Sequence, residues 1–221
     1  MPTHKKILDA VNTYYTDKVK QFGDSPQGVD WNSEESQVLR FEQLCKLLPQ
    51  NKEEQFSVLD YGCGYGAMSE YVSKNYPNAK YIGYDISEEM IKKAKEKYPS
   101  QSTQKTNQKI EWITEIKENA TFDYVIASGI FSVKLKENPQ EWHQYILDTL
   151  SIFNTITLKG FSFNCLTSFS DKEYMKEHLY YANPMELFSY CKTNFSRYVA
   201  LLHDYPIYEF CLLIKKNNFY E

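Results

Sequence analysis

The sequence has no excess of basic residues, no clustered cysteines and no long apolar run. Its 25 Lys and Arg against 29 Asp and Glu give a net charge of −4, which provides no broad basic field for a nucleic-acid backbone. The five cysteines are widely spaced and follow no metal-ligand pattern, so we expect them to be reduced and buried. No window approaches the roughly 18 apolar residues of a membrane helix, and no apolar signal region opens the chain. These absences predict a cytoplasmic protein without metal, membrane or nucleic-acid partner, and they leave the oligomeric state open.

Aromatic residues are abundant, at 16% of 221 residues with 19 Tyr and 13 Phe. This content indicates a globular chain with a real core rather than a disordered one. The length fits one α/β domain with decorations, or at most two small domains.

Hydrophobic spacing predicts strands that alternate with helices after a helical N-terminal region. Alternation of this kind is typical of an α/β fold with a mostly parallel sheet and helices on both faces. The last two strands are joined by a tight turn near Asp204 and Pro206, so they form an antiparallel hairpin. Asn32 is expected to cap the second helix, with Glu35 in the reciprocal position. The predicted elements are helix 4–20, a helix from 33 to 48, strand 56–61, helix 66–75, strand 80–84, helix 87–97, strands 110–113 and 122–127, helix 139–154 and strand 160–166.

The first strand runs into a glycine cluster, "DYGCGYG", with Gly62, Gly64 and Gly66 following Asp60. Glycines permit positive φ angles and let a ligand approach the main chain closely. In a parallel sheet, this first strand-to-helix turn faces the ligand crevice. The spacing D-x-G-x-G-x-G places the third glycine one residue earlier than the G-x-G-x-x-G of dinucleotide-binding folds, which argues against a dehydrogenase.

The string resembles the first motif of the class I S-adenosylmethionine-dependent methyltransferases. The second strand continues the resemblance with "GYDISEEM", in which Gly83, Asp85, Ser87 and Met90 follow that family's pattern. The segment "FDYVIASGIFS" resembles its fourth strand, and the likeness extends over about residues 35 to 170. One departure is the third strand, "KIEWITEI", which offers Thr114 and Glu115 but no clear aspartate for the adenine amine.

The resemblance implies a Rossmann-like fold, with S-adenosylmethionine as cofactor and S-adenosylhomocysteine as product. By that resemblance, Asp60 and the glycine turn face the methionine part, Asp85 binds the ribose and Ile86 lies on the adenine face. Thr114 would lie near the adenine edge, and Ser128 beneath the methionine group. Arg40 could bind the methionine carboxylate with its planar fork, or it could be a solvated helix residue.

Methyl transfer from a sulfonium needs alignment, exclusion of water and, for an alcohol acceptor, a base. His203 ends the sixth strand near the expected crevice, and His178 lies in an insertion after the fifth strand, at residues 168–183. Both are candidates for the base, with turn capping or loop packing as the alternative. Residues 1–50 are expected to form a helical cap over a core of residues 51–221. The aromatic residues of the cap and the insertion could contact the acceptor or simply anchor these segments: Tyr14, Tyr15, Trp31, Tyr180 and Tyr181.

The acceptor is indicated only by class. The [DN]-P-P-[YF] motif of nucleic-acid amino-methyltransferases is absent, and "ASGIFS" stands in its place. The extensions resemble those of bacterial small-molecule methyltransferases found with surface-polysaccharide genes. We therefore expect O-methylation of a sugar, a nucleotide-linked intermediate or a phosphoryl group. An RNA or protein methyltransferase, and a non-catalytic cofactor-binding subunit, are the alternatives.

Overall fold

The computed structural model describes residues 4–29, 33–99 and 109–216. The helices are α1 Lys5–Phe22, α2 Glu34–Leu44, α3 Ala67–Asn75, α4 Glu88–Lys97, α5 Pro139–Ile156 and α6 Pro184–Asn194. The strands are β1 Ser57–Tyr61, β2 Lys80–Tyr84, β3 Ile110–Ile113, β4 Phe122–Ala127, β5 Thr157–Thr167, β6 Tyr181–Ala182, β7 Tyr198–Leu202 and β8 Glu209–Lys215. Short 3-10 turns lie at Pro26–Val29, Cys45–Leu47 and Lys172–Tyr174.

The strands form one mixed sheet in the order β3-β2-β1-β4-β5-β8-β7. Neighbouring strands from β3 to β5 are parallel, whereas β8 runs antiparallel to both β5 and β7. The predicted α/β fold with a reversed terminal hairpin is therefore confirmed. Because parallel strands end at the same edge, the loops after β1, β2 and β4 meet beyond that edge.

The core lies on both faces of the sheet, since successive strand side chains point in opposite directions. Leu59 of β1 packs with residues of α5 and α6 on one face. Val58 packs with residues of α2, α3 and α4 on the other. A strand buried on both faces explains why β1 reads as an apolar run.

The bounds of α2 and β5 differ from the predicted ones for local reasons. Ser33 caps α2, with its Oγ accepting the N–H of Ser36 at 3.2 Å, whereas the expected cap Asn32 lies outside the described residues. β5 begins at Thr157 because α5 passes directly into it, with no glycine or proline between them. β5 also continues to Thr167, beyond Phe163, which pairs with Ala127 at the end of β4. The last residues of β5, Leu166 and Thr167, pair with β6 instead.

α6 was not among the predicted elements, although its start carries a recognisable signal. Asn183 accepts the N–H groups of Met185 and Glu186, and Pro184 occupies the first helical position. Asparagine followed by proline is a common helix start. Among the residues described, no helix combines the length and apolarity that crossing a bilayer would demand.

Candidate active site

A cleft opens at the carboxyl ends of β1, β2 and β4, where the predicted ligand crevice should lie. Asp60, Gly62, Gly64, Asp85, Ile86 and Ser128 all line it. The fold thus brings together most of the residues that the sequence assigned to a cofactor. Residues from α1, α2 and α5 complete the walls.

The glycine turn after β1 depends on backbone geometry that other residues rarely adopt. Gly62, Gly64 and Gly66 have φ angles of 79°, 54° and 88°. The N–H groups of Gly62 and Cys63 donate to the carbonyl of Tyr84 at 2.8 and 2.9 Å, which ties this turn to the end of β2. A Cβ at Gly62 would lie 2.4 Å from Cγ2 of Ile130. The turn therefore has little freedom to move or to accept a side chain.

Asp85 connects the glycine turn to the start of α4. Its Oδ2 accepts the N–H of Gly64 and its Oδ1 accepts the N–H of Ser87, both at 2.9 Å. Ser87 in turn caps α4, with its Oγ accepting the N–H of Met90. Burial raises the pKa of Asp85 to about 6. The carboxylate therefore orders two backbone segments of the cleft wall as well as facing the cleft.

Asp60 is a buried carboxyl on the floor of the cleft. Tyr81 donates its hydroxyl hydrogen to Oδ2 of Asp60. Burial raises the pKa of Asp60 to about 7, and the charge of Asp85 adds to that rise, while the Tyr81 hydrogen bond lowers it. When it is ionised, the buried Asp60 carboxylate can accept hydrogen bonds from positively charged or hydroxyl donors of a ligand.

Ser128 has an unusual environment for a buried hydroxyl. It lines the cleft at the end of β4, and its Oγ is buried without a hydrogen-bond partner among the described residues. A buried polar atom without a partner is costly. A polar ligand atom in the cleft would remove this cost.

Helix α1 forms the roof of the cleft. Leu8, Val11, Asn12 and Tyr15 line it from above the glycine turn, and their spacing puts them on one helical face. Of these four, the sequence prediction included Tyr15 alone, although the apolar periodicity of α1 could have indicated Leu8 and Val11. Thr16 and Ser87 are joined by a hydrogen bond of 2.7 Å between their hydroxyls, which docks the roof on the cap of α4.

Further contacts fix both ends of the roof. Nε2 of His4 lies 2.7 Å from Oδ2 of Asp148 on α5. Beyond the other end of α1, Lys97 of α4 pairs with Asp24 at 3.2 Å. The roof is therefore held against both helices that flank the cleft.

Arg40 requires a correction. Its guanidinium does not line the cleft and is paired with Glu209, with Nε 2.9 Å from Oε1. Its planar guanidinium binds a carboxylate of the protein itself rather than the methionine carboxylate, and its exposure of 7% also rules out the solvated alternative.

Several other predicted site residues lie away from the cleft lining. Thr114 is exposed in the bend after β3, and His178 and His203 are exposed as well. His203 packs against Phe169 and Phe210, as the packing alternative would have it. Tyr14, Tyr180 and Tyr181 do not line the cleft either, and Trp31 lies outside the described residues.

Tyr14 stacks edge-on against Tyr15, with ring centroids 5.2 Å apart. The hydroxyl of Tyr180 lies 2.9 Å from Nδ1 of His143, and the hydroxyl of Tyr181 accepts the N–H of Lys176. These tyrosines have structural partners in this arrangement, and their contact with an acceptor stays a prediction.

Comparison with known proteins identifies the family to which the chain belongs. A family model described as a methyltransferase domain matches residues 59–152. A Mycobacterium tuberculosis protein named as a methyltransferase is 42% identical over 166 residues, which cover 75% of this chain and 96% of that one. This chain belongs to the class I S-adenosylmethionine-dependent methyltransferases. More distantly, a malonyl-[acyl-carrier protein] O-methyltransferase of Ilyobacter polytropus is 32% identical over 82 residues, covering 37% of this methyltransferase and 31% of the relative.

A solved structure shows the same fold. The magnesium protoporphyrin IX methyltransferase of Synechocystis with bound S-adenosylhomocysteine superposes with a TM-score of 0.67, covering 96% of this chain and 98% of that one. The identity of 16% limits this likeness to the fold.

The cleft of this methyltransferase fits the cofactor of the family. The glycine turn offers close approach to the main chain, and Asp60 and Asp85 provide carboxylates for ammonium and hydroxyl donors. The buried Oγ of Ser128 has no hydrogen-bond partner within the described part of the chain, and a polar cofactor atom could provide one. Among the described residues, no group of three or more His, Cys, Asp or Glu side chains is placed to hold a metal ion.

The raised pKa values predict a pH dependence. Folding raises the pKa of Asp60 to about 7 and that of Asp85 to about 6, from about 3.9 in an unfolded chain. The folded protein thus holds protons that the unfolded chain releases, so the free energy of unfolding should fall as pH rises from about 4 to about 7. Cofactor affinity should rise toward neutral pH, because ionised carboxylates are the better acceptors.

Urea unfolding and calorimetric titration with S-adenosylhomocysteine at a series of pH values measure the two trends. An Asp60→Asn variant is the control, because it should flatten the part of both profiles nearest pH 7. Profiles that are flat in the wild type would contradict the assignment of these two carboxyls.

Proposed function

We propose that this methyltransferase acts on an oxygen of a small molecule: a sugar, a nucleotide-linked intermediate or a phosphoryl group made for bacterial surface polysaccharide. In this proposal residues 1–50 serve as a cap over a core of residues 51–221, and residues 168–183 form an insertion on the acceptor side. The reaction takes place in the cytoplasm.

The observation that carries the small-molecule proposal is the roofed cleft. Leu8, Val11, Asn12 and Tyr15 cover the same space that Asp60 and Asp85 border. A roof docked on α4 and α5 excludes water from the cleft. Only a small acceptor can enter beneath it, unless α1 moves away from the cleft. The net charge of −4 provides no basic groove for RNA.

O-methylation draws support from a relative and from the chemistry of the cleft. The Ilyobacter polytropus relative is named an O-methyltransferase. The cofactor supplies an electrophilic methyl group, so the protein has to orient the acceptor, keep water out and accept at most one proton. Asp60 is a candidate for that proton, because its pKa is raised to about 7 and it borders the cleft. His178 and His203 do not line the cleft, so they remain candidates only if the acceptor site extends beyond the residues that line it here.

A panel of acceptors tests the proposal. The purified protein would be incubated with S-adenosylmethionine and, separately, sugar nucleotides, sugar phosphates, small carboxylic acids, a peptide mixture and total RNA. Formation of S-adenosylhomocysteine is the readout. Turnover with a sugar or phosphoryl compound supports the proposal, turnover with RNA or peptide supports the alternative, and cofactor binding without turnover on any acceptor favours a non-catalytic subunit.

Once an acceptor is known, single substitutions identify the base. If Asp60 takes the proton, Asp60→Asn should lower turnover about 10²- to 10⁴-fold, the usual range of general-base effects. His178→Ala and His203→Ala should then retain it. Loss of turnover in either histidine variant, with cofactor affinity unchanged, would return the role to that histidine.

A further inference from the structure

A row of buried polar side chains connects α2 with the turn after β4. Nε of Arg40 donates to Oε1 and Oε2 of Glu209 at 2.9 and 3.0 Å, and its Nη1 donates to the carbonyl of Ser36 at 2.7 Å. Nδ2 of Asn164 donates to Oε2 of Glu209 at 2.5 Å. Oδ1 of Asn164 accepts the N–H of Gly129 at 2.7 Å. We call Arg40, Glu209 and Asn164 the buried network.

All three side chains of the buried network are removed from water. Their relative exposures are 7% for Arg40, 1% for Glu209 and 0% for Asn164. A buried ion pair is weak evidence for stability, because the loss of hydration offsets the attraction between the charges. A fully satisfied buried network instead holds its surroundings in one arrangement.

Each end of the buried network is a wall of the cofactor cleft. At one end, Gln37 and Phe41 of α2 line the cleft, and Arg40 lies between them in the sequence. At the other end, Ser128, Gly129 and Ile130 line it. Gly129 has a φ of 78°, so this turn adopts a left-handed backbone that few residues tolerate.

The turn after β4 also contacts the glycine turn directly. Cγ2 of Ile130 occupies the space beside Gly62, where an added Cβ would come within 2.4 Å of it. A displacement of Gly129 would therefore move Ile130 against the glycine turn. The side-chain amide of Asn164, which holds Gly129, therefore controls both the turn after β4 and the glycine turn after β1.

We propose that Asn164 is a positioning residue for the cofactor cleft, which fixes the turn after β4 through Gly129, while Glu209 and Arg40 anchor Asn164 to α2. The inference concerns the cofactor site that family membership assigns and needs no assumption about the acceptor. It also gives Arg40, which does not line the cleft, a role in cofactor binding through other residues.

The first test is an Asn164→Ala variant, which removes the acceptor of the Gly129 N–H and the donor to Glu209. We expect its affinity for S-adenosylhomocysteine to fall at least about tenfold in calorimetric titration. Amide hydrogen exchange of residues 128–131 should become faster in the absence of ligand, because the turn has lost its anchor.

Ser162→Ala is the matched control. Ser162 lies two residues earlier on the same face of β5, is fully buried, and donates to the carbonyl of Leu44 at 3.1 Å. Its loss removes a buried hydrogen bond to the end of α2 without touching the turn after β4. We expect its affinity for S-adenosylhomocysteine to stay within about threefold of the wild type.

An Asn164→Asp variant separates hydrogen bonding from packing, because the pH dependence of its cofactor affinity would not change if Asn164 only filled space. When protonated, the new carboxyl can donate to Glu209 and accept from Gly129, as the amide does; when ionised it cannot donate and it repels Glu209. The loss of affinity relative to wild type should thus be small near about pH 5.5 and grow toward about pH 8. Besides Arg40, the titratable groups near Glu209 are Cys165, Tyr205 and Cys211, with Lys46 beyond Cys211. Burial raises the pKa of the two cysteine thiols and of the Tyr205 hydroxyl, so these three groups stay neutral between about pH 5.5 and about pH 8.

Two results would overturn the proposed role of Asn164. A folded Asn164→Ala variant that binds within about threefold of the wild type would overturn the proposal, and so would an Asn164→Asp variant whose relative affinity does not change with pH. If the alanine variant does not fold, the aspartate variant decides. If the wild type itself binds no S-adenosylhomocysteine, the cofactor assignment fails, and the proposed role of Asn164 in cofactor binding fails with it.

Discussion

A Gly66→Ala variant is expected to lose about 2–5 kcal/mol of unfolding free energy and most of its affinity for S-adenosylmethionine. Gly66 precedes α3 with a φ of 88°, a conformation that costs an L residue about 1–2 kcal/mol. The added Cβ would lie 2.4 Å from Cη2 of Trp112 and 3.2 Å from Cβ of Ala94. Such overpacking costs about 1–3 kcal/mol more.

Trp112 cannot move aside cheaply. Its indole N–H donates to the carbonyl of Tyr98 at 2.9 Å, and its side chain is buried. The strain at Gly66 must therefore be relieved by the turn itself, which shifts Gly64 and its hydrogen bond to Asp85. This is why affinity should fall together with stability.

Gly160→Ala is the control for this prediction. Its Cβ would lie 2.6 Å from the carbonyl oxygen of Ile214, within the sheet and outside the cleft lining. The variant should lose stability in urea unfolding and retain its affinity for the cofactor once folded. Unchanged stability and affinity in Gly66→Ala would contradict the account of the glycine turn.

An Asp85→Ala variant should bind S-adenosylmethionine at least about tenfold more weakly, or about 1.4 kcal/mol. The substitution removes the carboxylate expected to bind the ribose hydroxyls, and hydrogen bonds to charged groups contribute about 1.5–3 kcal/mol each. It also leaves the N–H groups of Gly64 and Ser87 without their acceptor. Both effects weaken cofactor binding, and calorimetric titration measures their sum.

Asp123→Ala is the matched control for Asp85. Oδ2 of Asp123 accepts the N–H and the hydroxyl of Ser57 at 2.8 and 2.9 Å, near the amino ends of β1 and β4. Its loss removes similar hydrogen bonds at the opposite edge of the sheet. Reduced stability in both variants with reduced affinity in Asp85→Ala alone is the expected pattern. Equal affinities would contradict the placement of the ribose.

The strands and the cofactor turn could be predicted from the sequence because their signals are local. Gly62, Gly64 and Gly66 are needed by the backbone of one turn, and Asp85 immediately follows the strand that positions it. Apolar runs and helix caps gave most element bounds within one to three residues. The main miss was α6, whose start at Asn183 and Pro184 carried a usable signal.

The surroundings of the cleft depend on contacts between residues far apart in the chain. Arg40 meets Glu209 across 169 positions, and Asn164 meets Gly129 across 35. No periodicity or motif near Arg40 distinguishes a guanidinium that binds a ligand from one that binds a buried glutamate. For the same reason the sequence placed His178 and His203 near a crevice whose lining in the structure does not include them.

Calorimetric titration of the purified protein with S-adenosylmethionine, S-adenosylhomocysteine and NAD tests the central claim most directly. The account predicts micromolar binding of the first two and none of NAD, since the glycine turn and Asp85 are arranged for the methyl donor. Binding of NAD alone, or of none of the three, would contradict it.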